Sequence, residues 1–241
     1  DWSSDVCSSD LCKSTTYMDE IINLLVSSLS NKSLVSYAAR LIGAFSTHSC
    51  GCKILINNGV LEIFTQLYLS SSSGDTSISQ AIIKNVARNG CDVPQCSLIV
   101  SCLIQDLIYD VTRKAQILDT IIAIVEQIPT SIQEHDLQFT ILPHLASEDP
   151  LLVQLSLKLF SVCDASILRN IYQQLLVSIY NLIQKKEMRY IEIIEECVNV
   201  LIVLKKQDYT KIFIQETKFE KFVQKVVAKD EDKKRKENIT Y

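Results

Sequence analysis

Apolar residues recur three and four positions apart along almost the whole 241-residue chain, broken by short polar turns. That spacing gathers apolar side chains on one face of an α-helix. It predicts helices over Met18–Leu29, Ser33–Thr47, Lys53–Asn57, Val60–Ser70 and Ser77–Arg88. Further helices are expected from a cap near Asp92 to about Tyr109, and over Arg113–Ile128, Leu137–Ser147 and Pro150–Cys163. Ile167–Lys185, Arg189–Lys205 and Lys211–Lys229 complete the set, and no stretch reads as a strand. Asn58-Gly59 and Asn89-Gly90 should end two helices, because glycine enters the left-handed cap without steric cost. Asp149-Pro150 reads as a cap followed by a proline at the first helical position, and Pro94 suits the same place. Ser70–Ser77 is a polar loop.

The helices repeat. IINLLVSSLS at Ile21–Ser30 returns as IFTQLYLSSS at Ile63–Ser72, a period of about 42 residues. A helical unit of this length cannot bury its apolar face alone, so successive units are expected to stack into an α-solenoid with a long surface. A second, more distant copy aligns Lys211–Val227 with Lys53–Leu69, with Ile54/Ile212, Ile56/Ile214, Glu62/Glu220, Phe64/Phe222 and Gln66/Gln224 identical.

Asp1–Leu11 (DWSSDVCSSDL) resembles the translation of a sequencing-library adapter and is set aside as non-native. Without Asp1, Asp5 and Asp10 the formal charge moves from −4 to −1. A nearly neutral chain has no overall field drawing it to nucleic acid or an anionic membrane. Five Gly and four Pro are too few for the turns of an all-β domain. No apolar run reaches the ~18 residues of a membrane span. Setting Cys7 aside leaves eight cysteines without secretory features around them, which points to a reducing compartment and a cytoplasmic location.

Gly51–Ser71 (GCKILINNGVLEIFTQLYLSS) resembles the armadillo pattern of a short helix, a glycine turn and an amphipathic helix. Ala38–Ser46 and Ile82–Ala87 resemble the third armadillo helix. Ile141–Phe160 (ILPHLASEDPLLVQLSLKLF) is similar to the HEAT pattern, with Gln154 in place of its usual Arg. The resemblance implies a right-handed, all-α solenoid of about five irregular armadillo/HEAT-like units over residues 12–229. Residues 230–241 then form a charged tail that opens a truncated third helix. On that view Lys233–Lys236 is part of the helix, although its composition also matches a nuclear-localisation signal. The resemblance places Asn85 at the position where peptide-binding armadillo repeats carry an Asn ladder, with Ala81 at the Trp position. In the preceding unit Ala44 and Arg40 hold these places. One Asn, and a single Trp (Trp2) inside the adapter-like segment, make a poor ladder, so recognition of basic import peptides is not expected.

The chain shows little catalytic chemistry. His48, Cys50 and Cys52 form the most metal-like cluster, but a lone C-x-C without a second pair is weak for zinc. Cys50 and Cys52 read as the most exposed thiols, and Cys102, Cys163 and Cys197 as core. His135 beside Glu134 and Asp136 reads as a solvated inter-helix turn. Glu192, Glu195 and Glu196 share a helix face with no answering His. No phosphate-binding glycine loop or HExxH motif is present.

The function expected is therefore a non-enzymatic protein–protein interaction scaffold, with no cofactor, no small-molecule substrate, no nucleic-acid partner and no membrane insertion. Its third helices would line a concave face that takes an extended segment or a helix. Arg40, Lys84, Asn85, Arg88 and Lys158 are the polar positions expected to meet the partner. Two alternatives are a helical regulatory region of a larger enzyme such as a kinase, and a cargo-carrier or cytoskeletal adaptor.

Overall fold

A computed structural model describes residues 15–31, 33–70, 77–90, 93, 95–110, 112–184 and 191–206. These residues are helical, with no strand among them, as the periodicity predicts. The adapter-like segment, Cys91, Asp92, Pro94, the Lys211–Lys229 copy and the Lys233–Lys236 cluster lie outside them. Contacts divide the chain into two compact units, residues 1–131 and 132–241. The sequence reading placed no boundary inside 12–229.

The first unit holds α1 (Thr15–Ser28), α2 (Val35–Phe45), α3 (Ser49–Asn57), α4 (Val60–Ser70), α5 (Ser77–Arg88), α6 (Cys96–Tyr109) and α7 (Lys114–Gln127). Helix α1 packs on α2 and α3, α4 on α3 and α5, and α6 on α4 and α7. Helix α5 packs on α2 at one flank and on α7 at the other, so α2, α5 and α7 form a row. Ile22, Ile42, Leu55, Phe64, Ile82, Val86, Ile99, Leu103, Ile117 and Ile121 are buried in the core. Each contributes about 1.5–3 kcal/mol by leaving water.

Both asparagine-glycine pairs end helices as expected. Gly59 and Gly90 have φ of +67° and +70°, and Gly59 N donates to Ile56 O at 3.0 Å while Gly90 N donates to Ala87 O at 2.9 Å. Helix α6 starts differently: Gln95 precedes it in the left-handed region, with φ 55°. The turn from α2 into α3 is tight, and Thr47 N and His48 N donate to Ala44 O and Phe45 O at 3.3 Å each. The first turn of α3 is thereby pressed against the end of α2. A Cβ at Gly51 would lie 2.0 Å from Phe45 O, a backbone atom that cannot swing aside.

The second unit opens with an irregular helix, α8, made of a turn Glu134–Asp136, a π segment Leu137–Ile141 and a 3-10 segment Leu142–Ala146. The sequence predicted one regular helix over Leu137–Ser147. Pro143 explains the difference, because it has no N–H to donate to Phe139 O and its ring crowds the preceding turn. Helix α9 (Pro150–Val162) begins as predicted, with Asp149 Oδ1 accepting from Leu151 N at 3.0 Å and proline at the first position. A 3-10 turn Ile167–Asn170 leads into α10 (Tyr172–Gln184), where one continuous helix was expected. Helix α11 (Ile191–Lys206) packs along α9 and touches α10, and the 3-10 part of α8 packs on α9 and α10.

Gly51→Ala should destabilise the chain by about 1–3 kcal/mol, since the methyl group has nowhere to go but into backbone. Urea unfolding followed by circular dichroism checks this, and an unchanged midpoint would contradict the close approach.

Candidate interaction face

Helix α5 carries polar side chains on both flanks of its buried stripe of Ile82, Ile83, Val86 and Ala87. On the α7 side stand Gln80, Lys84 and Arg88, four residues apart and therefore in one row. Buried Gln80 Nε2 donates to Thr120 Oγ1 at 3.1 Å. Lys84 Nζ sits 3.3 Å from Asp119 Oδ2, and Arg88 Nη2 pairs with Asp119 Oδ1. These ion pairs are partly solvated, so each is worth at most about 1 kcal/mol.

On the α2 side stand Asn85 and Asn89. Asn85 Nδ2 donates to Ser46 Oγ at 3.0 Å, and Asn89 Nδ2 reaches Asn85 O at 2.8 Å and Ser46 O at 3.3 Å. Ser46 is fully buried at the C-cap of α2. Its Oγ donates to Gly43 O at 2.7 Å, and its carbonyl also accepts from Cys52 Sγ at 3.0 Å. One buried serine thus joins α2, α3 and α5.

The predicted partner-facing residues fall into three places. Lys84, Asn85 and Arg88 are together on α5, each bonded to a neighbouring element of the same stack. Arg40 is exposed on α2. Lys158 is half-buried on α9, in the other unit. Tyr68 of α4 and Asp106 of α6, which no motif pointed to, form another long-range pair: Tyr68 Oη donates to Asp106 Oδ2 at 2.7 Å. Burial first, and then this bond, raise the Tyr68 hydroxyl far above its ordinary acidity range.

The metal-like cluster divides. His48 is exposed as the N-cap of α3, Cys50 is half-buried, and Cys52 is wholly buried against the Ser46 carbonyl. The expectation that Cys52 is among the most exposed thiols is therefore corrected, because its position in the first turn of α3 faces the α2–α5 junction. Among the described residues no group of three or more His, Cys, Asp or Glu side chains is arranged to hold a metal. His135 is exposed and leans on Phe139, ring centroids 4.7 Å apart, in the first turn of α8. Nearby Glu134 Oε2 accepts from Asn170 Nδ2 at 2.8 Å.

A groove of about 390 Å³ opens between α8 and α10, lined by Gln138, Leu142, Leu145, Ser178, Asn181 and Leu182 among others. Its walls are uncharged, and its amides can both donate and accept. Helical periodicity gave no sign of it, since it depends on the π and 3-10 turns. No described helix is long and apolar enough to cross a membrane. No protein-family model matches the chain, and a search of curated proteins finds no match.

Ser46→Ala should cost about 1–3 kcal/mol by leaving the Asn85 amide short of an acceptor. In a double-mutant cycle with Asn85→Ala the two losses should be coupled by at least roughly 0.5 kcal/mol. Strictly additive losses would show that the two side chains act separately.

A second outcome concerns pH. Burial, aided by Asp164 and Glu196 respectively, pushes the Cys163 and Cys197 thiols up to about 12 from an ordinary 9.0. A raised folded value means that the unfolded chain ionises first. The stabilising contribution is complete below pH 9.0 and is lost as pH climbs toward about 12. Unfolding free energy should fall over that range, and less steeply in Cys163→Ala/Cys197→Ala; equal slopes would refute the assignment.

Proposed function

We propose that the chain is a right-handed α-solenoid of armadillo/HEAT-like repeats that works as a non-enzymatic protein–protein interaction scaffold. The observation that carries this reading is the row α2–α5–α7. Its helices are braced by side-chain bonds between residues 31 to 43 apart, about one helical repeat. Units joined at that interval extend a surface in one direction, and such surfaces hold extended segments or helices of other proteins. On this reading Arg40, Lys84, Asn85, Arg88 and Lys158 meet a protein partner.

The bracing changes how the surface presents itself. Lys84 and Arg88 both pair with the Asp119 carboxylate, so the side chains of the α5–α7 flank are held in place. A fixed cation loses less conformational entropy on binding than a freely moving one.

Affinity capture compares the parent chain, a variant with alanine at all five positions, and Asp119→Asn. The five-alanine variant should recover its partner roughly tenfold less well, given that a few residues carry most interface energy. Asp119→Asn keeps both cations and should retain the partner. Equal recovery by parent and five-alanine chains would place the binding surface elsewhere.

A further inference from the structure

Helices α1 and α2 expose apolar stripes at one end of the row. Tyr17, Ile21 and Leu24 are spaced i, i+4, i+7 on α1, and Tyr17 and Leu24 are 71% and 66% exposed. Leu34 at the N-cap of α2 and Tyr37 and Leu41 within it are spaced i, i+3, i+7, and Tyr37 and Leu41 are 69% and 53% exposed. Both stripes lie across their helices from the flanks already packed in the unit. Asp19, on the far side of α1 from Tyr17, Ile21 and Leu24, accepts from Asn58 Nδ2 of the α3 C-cap at 2.9 Å. Gly43, on the far side of α2 from Leu34, Tyr37 and Leu41, faces Ile82 of α5. The two stripes therefore both lie away from these packed flanks, on helices that pack against each other.

Charge at the rim says what fits there. Glu20 borders Leu24 on the side of α1 turned away from the core, and Arg40 borders Tyr37 and Ala44 on the corresponding side of α2. Both are exposed. Among the described residues the face thus carries one acid on one rim, one base on the opposite rim, and apolar side chains between. Such a pattern complements itself after a two-fold rotation that lays α1 of one copy across α2 of the other. Each Glu20 then meets an Arg40, twice per pair.

We propose that this α1–α2 end face is covered by the same face of a second copy of the chain, giving an isologous dimer. The inference needs only the first unit's packing; it shares Arg40 with the scaffold reading, and Tyr17, Glu20, Leu24, Tyr37 and Leu41 test it at positions that reading does not use. Leu24 and Leu41 supply the buried centre, and Glu20 and Arg40 set the orientation.

Sedimentation equilibrium of the full 241-residue chain tests this over micromolar concentrations. The mass should rise with concentration from 27.2 kDa to twice that value and stop. Leu24→Glu/Leu41→Glu should remain monomeric with an unchanged helical circular-dichroism signal. If that variant loses helicity, Tyr17→Ser/Tyr37→Ser replaces it, since both rings are largely solvated. Glu20→Arg should weaken the dimer by at least roughly tenfold by setting two like charges face to face. Glu20→Arg/Arg40→Glu should restore it, which a merely structural role for either residue would not do. A chain that stays monomeric throughout, as when its own residues 1–14 or another protein cover the face, overturns the proposal. So does a mass that grows past the dimer, or a dimer indifferent to these substitutions.

Discussion

A buried hydroxyl holds the first unit in register. Ser46 lies where α2 stops; its hydroxyl donates to Gly43 O, and its oxygens accept from Cys52, Asn85 and Asn89, so three helices must arrive with their polar atoms in place. Apolar burial drives the helices together but is indifferent to sliding and rotation. A buried polar group is not indifferent, because a lost partner costs its full desolvation. The short α3, the close approach at Gly51 and the placement of α5 beside α2 all serve that one junction.

The same economy governs the polar face of α5. Side chains that could reach outward are used to tie neighbouring helices, with Gln80, Lys84 and Arg88 turned to α7 and Asn85 and Asn89 to α2. A stack of helical units faces the same problem at every junction. Its apolar ridges would fit in several registers, and polar pairs at fixed intervals select one of them.

Much of this was legible in the sequence where the determinant is local. Val60–Ser70 and Ser77–Arg88 coincide with the predicted helices, and the two asparagine-glycine ends and the Asp149-Pro150 start follow from the chemistry of single residues. Pro143 showed its position but not its effect, because a proline can end a helix or distort it and its neighbours in sequence do not decide which. The candidate surface was legible as residue types: Lys84, Asn85 and Arg88 stand out on a helical wheel as polar. Their partners Ser46 and Asp119 lie 39, 35 and 31 residues away, and no local pattern joins them. Cys52 misled for a related reason, since a cysteine in a Gly-containing turn reads as solvated until Ser46 comes into view.

Helix α8 has a consequence for length. Leu137, Ile141 and Leu145 stay buried at four-residue intervals while the backbone passes from π to 3-10 bonding. The core thus fixes the side chains without prescribing the hydrogen-bond pattern that carries them. A 3-10 turn rises about 2.0 Å per residue against 1.5 Å in an α-helix, so the five residues Leu142–Ala146 span about 2.5 Å more than an α-helix of the same length would. The second unit therefore contains a stretch drawn out by about half a helical turn, beside the groove whose walls that stretch supplies.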